Sequence, residues 1–362
     1  MSSKCPTLVL FAFLMLFGIG SVTRGEEGVK RSRKEVRALI EEAGRTKPDW
    51  WDETAMNHPN TLDLTWPKAK GKWNANKNIG QYIVSVVNRR PERWRPTAKL
   101  VHTLVLQRKP STERGMRDAM GWLGHLYARF LGDYARGAYW WEKLQKEHGS
   151  LSRGRRIDLA ECYAKLGNTK MAEELLRRID RGTIKAWSDL GRLDRALKQA
   201  ESETKRKRPY SALMAAGDAC RAHGEGKKAR TYYTRLMRMA KTGGGRNKSG
   251  KKYGIWARQA IAAIKAFAKH RPGRYPDGTH EGEGTGYRGA VRVRMTVDKG
   301  RITQVKVLNH REDWPGRAPM DIPRQLVEKQ GISGVDAVTG ATRTSDAILA
   351  ACGDALAKAK RK

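Results

Sequence analysis

The stretch RGAVRVRMTVDKGRITQVKVLNH, residues 288–310, alternates apolar and polar side chains. Apolar residues occupy every second position from Val291 to Val297, which predicts a strand with one buried face. Residues 298–300 (DKG) predict a turn, and residues 302–310 predict a second strand. This part of the chain is therefore expected to form a β-hairpin.

Helical patterns follow the hairpin. Residues 319–330 (PMDIPRQLVEKQ) predict a helix, and Ile348, Leu349, Cys352 and Leu356 mark one apolar face of a final helix. Together with the hairpin, these helices predict a small α+β domain over residues 286–360.

The stretch DAVTGATRTSDAIL, residues 336–349, leads into the final helix. Thr344 or Ser345 is predicted to cap that helix, and residues 339–342 (TGAT) form its approach. Exposed amides at a helix N-terminus beside a glycine suit a phosphate, to which Arg343 could add a charged contact. Hydroxyls before a helix are also ordinary caps, so these residues alone leave both capping and phosphate binding open.

Residues 97–270 are predicted to form helical hairpins. Three segments, beginning at Gly124, Leu159 and Ala215, share a first helix, a turn containing glycine, and a second helix that opens with small residues. A degenerate copy surrounds Gly191. The pattern resembles tetratricopeptide-type repeats, which stack into an array with a concave face for a partner.

Glycine-rich stretches interrupt and end this array. Residues 241–252 predict a flexible excursion, followed by one more helix from Tyr253 to about His270. Residues 271–285 combine proline and glycine and show no helical period. They predict a linker to the C-terminal domain.

Residues 26–96 form a separate N-terminal segment. Residues 28–46 predict one helix, and residues 78–89 predict a short amphipathic helix. The segment is rich in tryptophan: Trp50, Trp51, Trp66, Trp73 and Trp94. These indoles could form a platform that stacks on sugars, or they could cap the end of the helical array. Their scattered spacing favours the cap.

The net charge of +36 over 362 residues predicts attraction to polyanions, such as nucleic acid, anionic lipid or acidic polymers of the cell envelope. Residues 1–25 have a positive start and an apolar run at 7–20, which predict a secretory signal peptide. An exported protein meets little cytoplasmic DNA. Nucleic-acid binding is therefore the weaker explanation of the charge.

Cysteine and histidine show no functional pattern. Cys162, Cys220 and Cys352 are far apart and allow at most one disulfide after removal of the leader. Histidines such as His125 and His310 lack the spacing of metal ligands, and no haem attachment motif occurs. The sequence predicts no disulfide framework and no metal site.

The run DAVTGAT, residues 336–342, matches the D-x-x-[S/T]-G-A-T flavinylation motif. With GYRG at 286–289, the hairpin VDKGRITQVKVLNH and HREDWPG at 310–316, it resembles the FMN-binding domain of certain redox proteins. These include subunits of the sodium-pumping NADH:quinone oxidoreductase and of the Rnf complex, and secreted fumarate-reductase-like flavoproteins. The resemblance covers roughly residues 280–358. One block departs: where members often read E-T-P-G, this chain has Glu312 followed by DWPG.

The resemblance implies that FMN is the cofactor and that a separate flavin transferase, with FAD as donor, joins its phosphate to the Thr342 hydroxyl. The departing block affects the expected contacts of the isoalloxazine ring and leaves the acceptor intact. Six neighbours are expected to shape the acceptor loop or help hold the phosphate: Asp336, Thr339, Gly340, Ala341, Thr344 and Ser345.

These observations predict a multi-domain protein, with an α-helical tetratricopeptide-like array followed by a small α+β FMN-binding domain. The expected function is that of an electron-transfer flavoprotein exported to the periplasm or cell envelope, with membrane association as a further option. The array would dock redox partner proteins or acidic envelope polymers. No substrate-oxidising site accompanies the flavin motif, so we expect a carrier rather than a stand-alone enzyme. The alternative is a non-enzymatic helical-repeat scaffold of the cell envelope with a degenerate flavin domain.

Overall fold

The computed structural model describes residues 30–56, 73–206, 209–242, 248–270 and 272–359. The predicted signal peptide and Trp66 lie outside these residues. Within the described parts of the chain, no helix combines the length and the apolar character needed to span a membrane.

The described residues between 30 and 270 are mainly helical, and we call this part the helical region. Two π-helical segments, Ile83–Val87 and Leu126–Leu131, each continue directly from an α-helix. The helices are α1 (Arg33–Arg45), α2 (Ile79–Tyr82), α3 (Trp94–Leu106), α4 (Glu113–His125), α5 (Tyr134–His148), α6 (Arg153–Lys165), α7 (Thr169–Leu176), α8 (Ile184–Asp189), α9 (Leu193–Thr204), α10 (Pro209–Ala222), α11 (Gly226–Thr242) and α12 (Lys248–Lys269).

Consecutive helices pack in pairs, as the sequence predicted: α4 with α5, α6 with α7, α8 with α9, and α10 with α11. Each pair turns at a glycine with positive φ, a conformation that glycine adopts without steric cost: Gly132, Gly167, Gly191 and Gly224. Helices occupy both ends of the excursion predicted at 241–252, because α11 extends to Thr242 and α12 begins at Lys248, and residues 243–247 lie outside the described residues. The tetratricopeptide resemblance stays a prediction, since helix pairing alone does not identify that repeat.

The described tryptophans of the N-terminal segment pack into the helical region. Trp94 is buried and stacks on Phe130, with ring centroids 5.0 Å apart. Trp51 meets His102 edge-on at 5.0 Å, and Trp140 meets the same imidazole at 4.9 Å. This packing favours the capping interpretation over an exposed sugar-binding platform.

The C-terminal domain contains an antiparallel sheet in the order β1 (Gly278–Thr285), β2 (Ala290–Asp298), β3 (Arg301–His310). Helix α13 (Ala318–Lys329) packs on β3, and α14 (Thr342–Lys358) packs on β1 and β2. The predicted alternation is confirmed, because Val291, Val293, Met295 and Val297 are all buried. The three described cysteines, Cys162, Cys220 and Cys352, are buried and free. The disulfide that the sequence allowed is therefore not formed among them.

The predicted linker is wrong in its second half, where residues 278–285 form β1. Gly282 of this strand pairs with Val293, and Gly284 pairs with Val291. The glycines have a packing role: a Cβ at Gly282 would overlap the carbonyl oxygen of Ala351, and one at Gly284 would overlap that of Ala347. Glycine here allows α14 to lie directly against the strand.

The helical region and the C-terminal domain share a core. Helix α12 packs along α14, and its Ala263, Ala266 and Phe267 belong to the same buried cluster as the strand residues. The Trp256 indole of α12 donates a hydrogen bond of 3.3 Å to the Gly286 carbonyl. The domain boundary predicted at residue 270 therefore separates two parts of the chain that pack against each other.

Candidate functional site

The loop between α13 and α14 carries most of the predicted site, and two glutamine side chains hold it. Gln330 follows α13 and has a left-handed φ of 53°. Its side-chain oxygen accepts a hydrogen bond from the Ile302 N–H at 2.9 Å, and its side-chain nitrogen donates one to the Ile302 carbonyl at 2.8 Å. Gln325 binds Asp336 in the same way: its oxygen accepts from the Asp336 N–H at 2.8 Å, and its nitrogen donates to the Asp336 carbonyl at 3.0 Å. The loop is thereby fixed to β3 and to α13.

Helix α14 begins at Thr342, earlier than the sequence predicted, and Ala341 is the residue before it. The N-cap prediction for Thr344 and Ser345 is wrong, because both residues lie inside the first turn. Ala341 makes no side-chain cap hydrogen bond. The first backbone N–H groups of a helix lack intrahelical partners, so this end of α14 keeps its attraction for an anion.

Thr344 and Ser345 hold the loop from inside. Their exposed fractions are 2% and 0%. The Thr344 hydroxyl donates to Glu312 Oε2 at 3.1 Å, while the Ser345 hydroxyl accepts from the Val338 N–H and donates to the Ala341 carbonyl, each at 3.0 Å. The geometry gives both hydroxyls a role in the loop, in place of the phosphate contact that we expected.

Glu312 joins three parts of the domain. It is buried, and its carboxylate accepts hydrogen bonds from the backbone N–H groups of Tyr287 and Arg288, at 3.0 and 2.8 Å, as well as from Thr344. Residues 286–289 are the GYRG turn between β1 and β2. One carboxylate therefore connects that turn to the first turn of α14.

The remaining motif residues are closer to the surface. Thr339 and Thr342 are half-buried, and Gly340 is exposed with a φ of 82°. A Cβ at Gly340 would meet nothing within 4 Å, so its glycine is required by backbone conformation and not by crowding. The loop thus presents an accessible glycine two residues before Thr342.

A small cavity of about 30 Å³ lies beside Thr342, between the loop and the helical region. Its polar lining from the helical region includes Lys185 and Asp189 of α8 and Asp218 and Arg221 of α10. Arg221 donates hydrogen bonds to the carbonyls of Ile332 and Val335, at 3.0 and 2.9 Å. Thr342 therefore shares this cavity with two helices from outside its own domain.

Lys185 lies between two carboxylates, with its ammonium 2.6 Å from Asp189 and 2.8 Å from Asp336. Burial raises the pKa of Asp189 well above its ordinary value, and nearby Asp336 adds to the effect. Burial also opposes ionisation of Asp336, but Lys185 outweighs it and lowers the pKa of that carboxyl. The ammonium thus favours the charged form of Asp336, while burial disfavours the charged form of Asp189.

Arg343 is engaged by two carboxylates. It forms ion pairs with Asp218 of α10 at 2.9 Å and with Asp346 of its own helix at 2.8 Å. Burial, followed by the neighbouring Asp218, raises the pKa of Asp346 to about 7. The charged contact that we expected from Arg343 is therefore directed to carboxylates.

The block that departs from the family pattern contacts the helical region. Asp313 forms ion pairs with Arg288 of the GYRG turn and with Arg89. Trp314 stacks on Trp122, with ring centroids 6.3 Å apart and planes inclined by 8°. The change from the usual motif thus coincides with an interface that this chain makes to its own helices.

Residues 286–357 match the family model described as the FMN-binding domain. The C-terminal part of this chain is an FMN-binding domain. A protein of Treponema pallidum (strain Nichols), described as uncharacterized, is 35% identical over 85 residues, which are 23% of this chain and 23% of that protein. The match therefore spans about a quarter of the relative's length. No solved structure matches this chain.

The residues beside the FMN-binding motif fit a phosphate ester. Thr342 places a hydroxyl at the N-terminus of a 17-residue helix, and Lys185 and Arg221 bring cations to the same cavity. Carboxylates are also present, because Lys185 pairs with Asp336 and Asp189, and Arg343 pairs with Asp218 and Asp346. The helix N-terminus and Arg221 are therefore the groups that would favour a phosphate ester close to Thr342.

Sequence reasoning missed the partners that the helical region supplies to the FMN-binding domain. Lys185, Asp218 and Arg221 are more than 100 positions from the loop, and no local pattern marks them. Glu312 had a signal, since it begins the block that resembles the family, but its contacts with the GYRG turn and Thr344 required the fold.

Proposed function

We propose that this protein is an exported electron-transfer flavoprotein that holds FMN by a phosphoester to Thr342. The observation that carries the proposal is the position of Thr342, which begins α14 inside the FMN-binding domain with its side chain half-buried. A hydroxyl at a helix N-terminus is well placed to carry a phosphate, because the helix dipole stabilises the added negative charge.

The attachment requires a flavin transferase and FAD. The Thr342 oxygen forms the new bond to the phosphorus of the FMN half, the bond that joins this phosphorus to the AMP oxygen breaks, and AMP leaves. The hydroxyl proton is released in the same step. Asp336, Thr339, Gly340 and Ala341 give the loop its shape, while Lys185 and Arg221 supply nearby positive charge.

Bound FMN would supply one- and two-electron transfer between a donor and an acceptor protein. The chain's own contribution is to bind and orient the group, and we assign no catalytic residue. Purified holoprotein that turned over a small substrate without any partner would contradict the assignment as a carrier.

The deciding experiment is intact mass on protein co-expressed with a flavin transferase, together with in-gel flavin fluorescence after denaturation. We expect a mass increase of one FMN less one water, its loss in Thr342→Ala, and its retention in Thr303→Ala. Thr303 is the control because it is an exposed threonine of the same domain, on β3 and outside the motif. Absence of the adduct from the wild type would favour the scaffold alternative.

Export is a separate part of the proposal and rests on the N-terminal sequence. Residues 1–25 have the charge and apolar run of a signal peptide. Fractionation of cells that produce the full chain should place the mature protein outside the cytoplasm, with an N-terminus near residue 26.

A second function is supported by the charge of α11 and α12. Residues 226–276 contain fifteen Lys or Arg residues and no Asp or Glu. On each helix, exposed cations recur at helical spacing along one face: Lys227, Arg230, Arg238 and Lys241 on α11, and Lys251, Arg258, Lys265 and Lys269 on α12. We propose that these faces bind an acidic polymer of the cell envelope.

Heparin is an acidic polysaccharide, so retention on immobilised heparin tests this surface. Arg258→Glu with Lys265→Glu should elute at clearly lower salt than the wild type. The control, Lys109→Glu with Lys198→Glu, makes the same charge change at exposed positions elsewhere. Equal loss in both double variants would show an effect of net charge alone and remove the surface assignment.

A further inference from the structure

A second, larger space adjoins the loop. It is a cleft of about 500 Å³ between the helical region and the FMN-binding domain. The helical side of the cleft is lined by Ala128, Arg129, Gly132, Tyr134, Glu161 and Lys165. Residues of α13 and the loop line the opposite side, including Arg317, Gln325, Val338 and Thr339.

The cavity beside Thr342 is too small for a flavin ring, since about 30 Å³ is close to the volume of one water. The cleft is within the range of about 300–1,000 Å³ that is usual for small-molecule sites. Both spaces include Asp336 and Ala337 in their linings, so they are neighbours across the loop. A five-carbon ribityl chain separates the phosphate of FMN from its ring.

Two other spaces of comparable volume lie away from the loop. One, of about 440 Å³, is lined by residues 305–310 and Pro319. The other, of about 570 Å³, lies between α1 and α5 and includes Arg37 and Tyr139. Neither contains a residue of 330–342 in its lining. Of these three spaces, the cleft alone is adjacent to the acceptor loop.

We propose that the cleft receives the isoalloxazine ring of FMN held at Thr342, so that the helical region forms one wall of the flavin site. This inference rests on the proposed function. It assigns Tyr134 and Lys165, which lie outside the FMN-binding domain, as residues that contact the cofactor.

Two arginines of the cleft are held by ion pairs. Arg129 pairs with Asp158 and, at 2.6 Å, with Glu161. On the other wall, Arg317 pairs with Asp321 at 2.9 Å. The same lining contains apolar surface from Ala128, Ala337 and Val338, so the cleft offers both polar and apolar contacts to a ring with a polar pyrimidine edge and an apolar opposite edge.

Tyr134 and Lys165 give the inference its readouts. A tyrosine beside a flavin quenches the fluorescence of the ring by electron transfer, and phenylalanine does not. A cation beside the ring favours its reduced, anionic state, so replacing Lys165 with a carboxylate should make the midpoint potential more negative. Both residues are half-buried at the cleft.

The experiment uses full-length protein co-expressed with a flavin transferase and measures intact mass, fluorescence lifetime and midpoint potential for each variant. We expect the complete adduct in Tyr134→Phe and Lys165→Glu, a longer lifetime in the first and a more negative potential in the second. The controls Tyr139→Phe and Lys170→Glu make the same chemical changes away from the cleft and should match the wild type.

The mass separates the two ways in which the inference can fail. If the wild type carries the adduct but both cleft variants match it in lifetime and potential, the ring lies elsewhere and the inference is wrong. If the wild type carries no adduct, the proposed function fails first and the inference falls with it.

Discussion

Thr344 and Glu312, 32 positions apart in the sequence, share a buried hydrogen bond of 3.1 Å that ties the start of α14 to the GYRG turn. The same carboxylate accepts two backbone N–H groups from that turn. The first turn of α14 and the turn between β1 and β2 are therefore linked through one side chain.

Glu312→Ala should destabilise the protein by about 3 kcal/mol, because it leaves two partly buried backbone donors and one buried hydroxyl without their acceptor. Thr344→Val removes one of the three bonds and should cost about 1 kcal/mol. Urea denaturation measures both. Equal effects of the two substitutions would mean that the backbone bonds of Glu312 contribute nothing.

The two carboxylates beside Lys185 should respond differently to amide substitution at neutral pH. Burial raises the pKa of Asp189 and disfavours its charged form, so a neutral amide in Asp189→Asn should be tolerated better than one at Asp336. Asp336→Asn removes the ionised partner of the ammonium and should be more destabilising. Thermal unfolding at pH 7 compares them, and a larger loss for Asp189→Asn would reverse the assignment of charge.

Gly284→Ala should prevent α14 from packing on β1, because the added Cβ would overlap the Ala347 carbonyl oxygen. We expect a loss of several kcal/mol, of the order seen for overpacked cores, or no folded protein. Gly289→Ala is the matched control: its Cβ would meet Arg311 only at an ordinary 3.8 Å. Circular dichroism and denaturation should show the control near wild type.

Acid should destabilise the helical region through His102. Burial, followed by the charges of Arg136 and Lys143, lowers the pKa of His102 from 6.5 to about 4. The unfolded chain therefore binds the proton more readily, so this contribution to stability is complete above pH 6.5 and is lost as pH falls toward 4.

At pH 5 the loss from His102 amounts to about 2 kcal/mol, at 1.36 kcal/mol per pH unit below 6.5. His102→Gln removes the titration and can still bond the Tyr127 hydroxyl, which lies 2.8 Å from the imidazole in the wild type. Denaturation at pH 7.5 and pH 5 should show a smaller decrease for the variant. The same decrease in both proteins would remove His102 as the cause.

Local patterns predicted the elements of the fold and missed how they meet. The β2–β3 hairpin follows from alternation, and the helix pairs follow from turn glycines, because both signals are short-range. Residues 278–285 were predicted to be a linker because they are rich in glycine, but glycine occurs both in turns and where two elements pack closely. Only the position of α14 distinguishes these uses.

The candidate site divides in the same way. DAVTGAT can be recognised from the sequence because its residues are contiguous. Lys185, Asp218 and Arg221 could not be predicted, since they reach the loop through the packing of α8 and α10. Thr344 and Ser345 were assigned to a ligand because hydroxyls look alike in sequence, whether they bond a phosphate or the protein.

The shared core of α12 and α14 has a consequence for electron traffic. A domain on a flexible linker can move its cofactor from one partner to another. This domain instead packs against the helices that precede it. A flavin at Thr342 would therefore stay in one position. The electron donor and the electron acceptor would have to bind near it one after the other, and the surrounding helices would limit the directions from which they can approach.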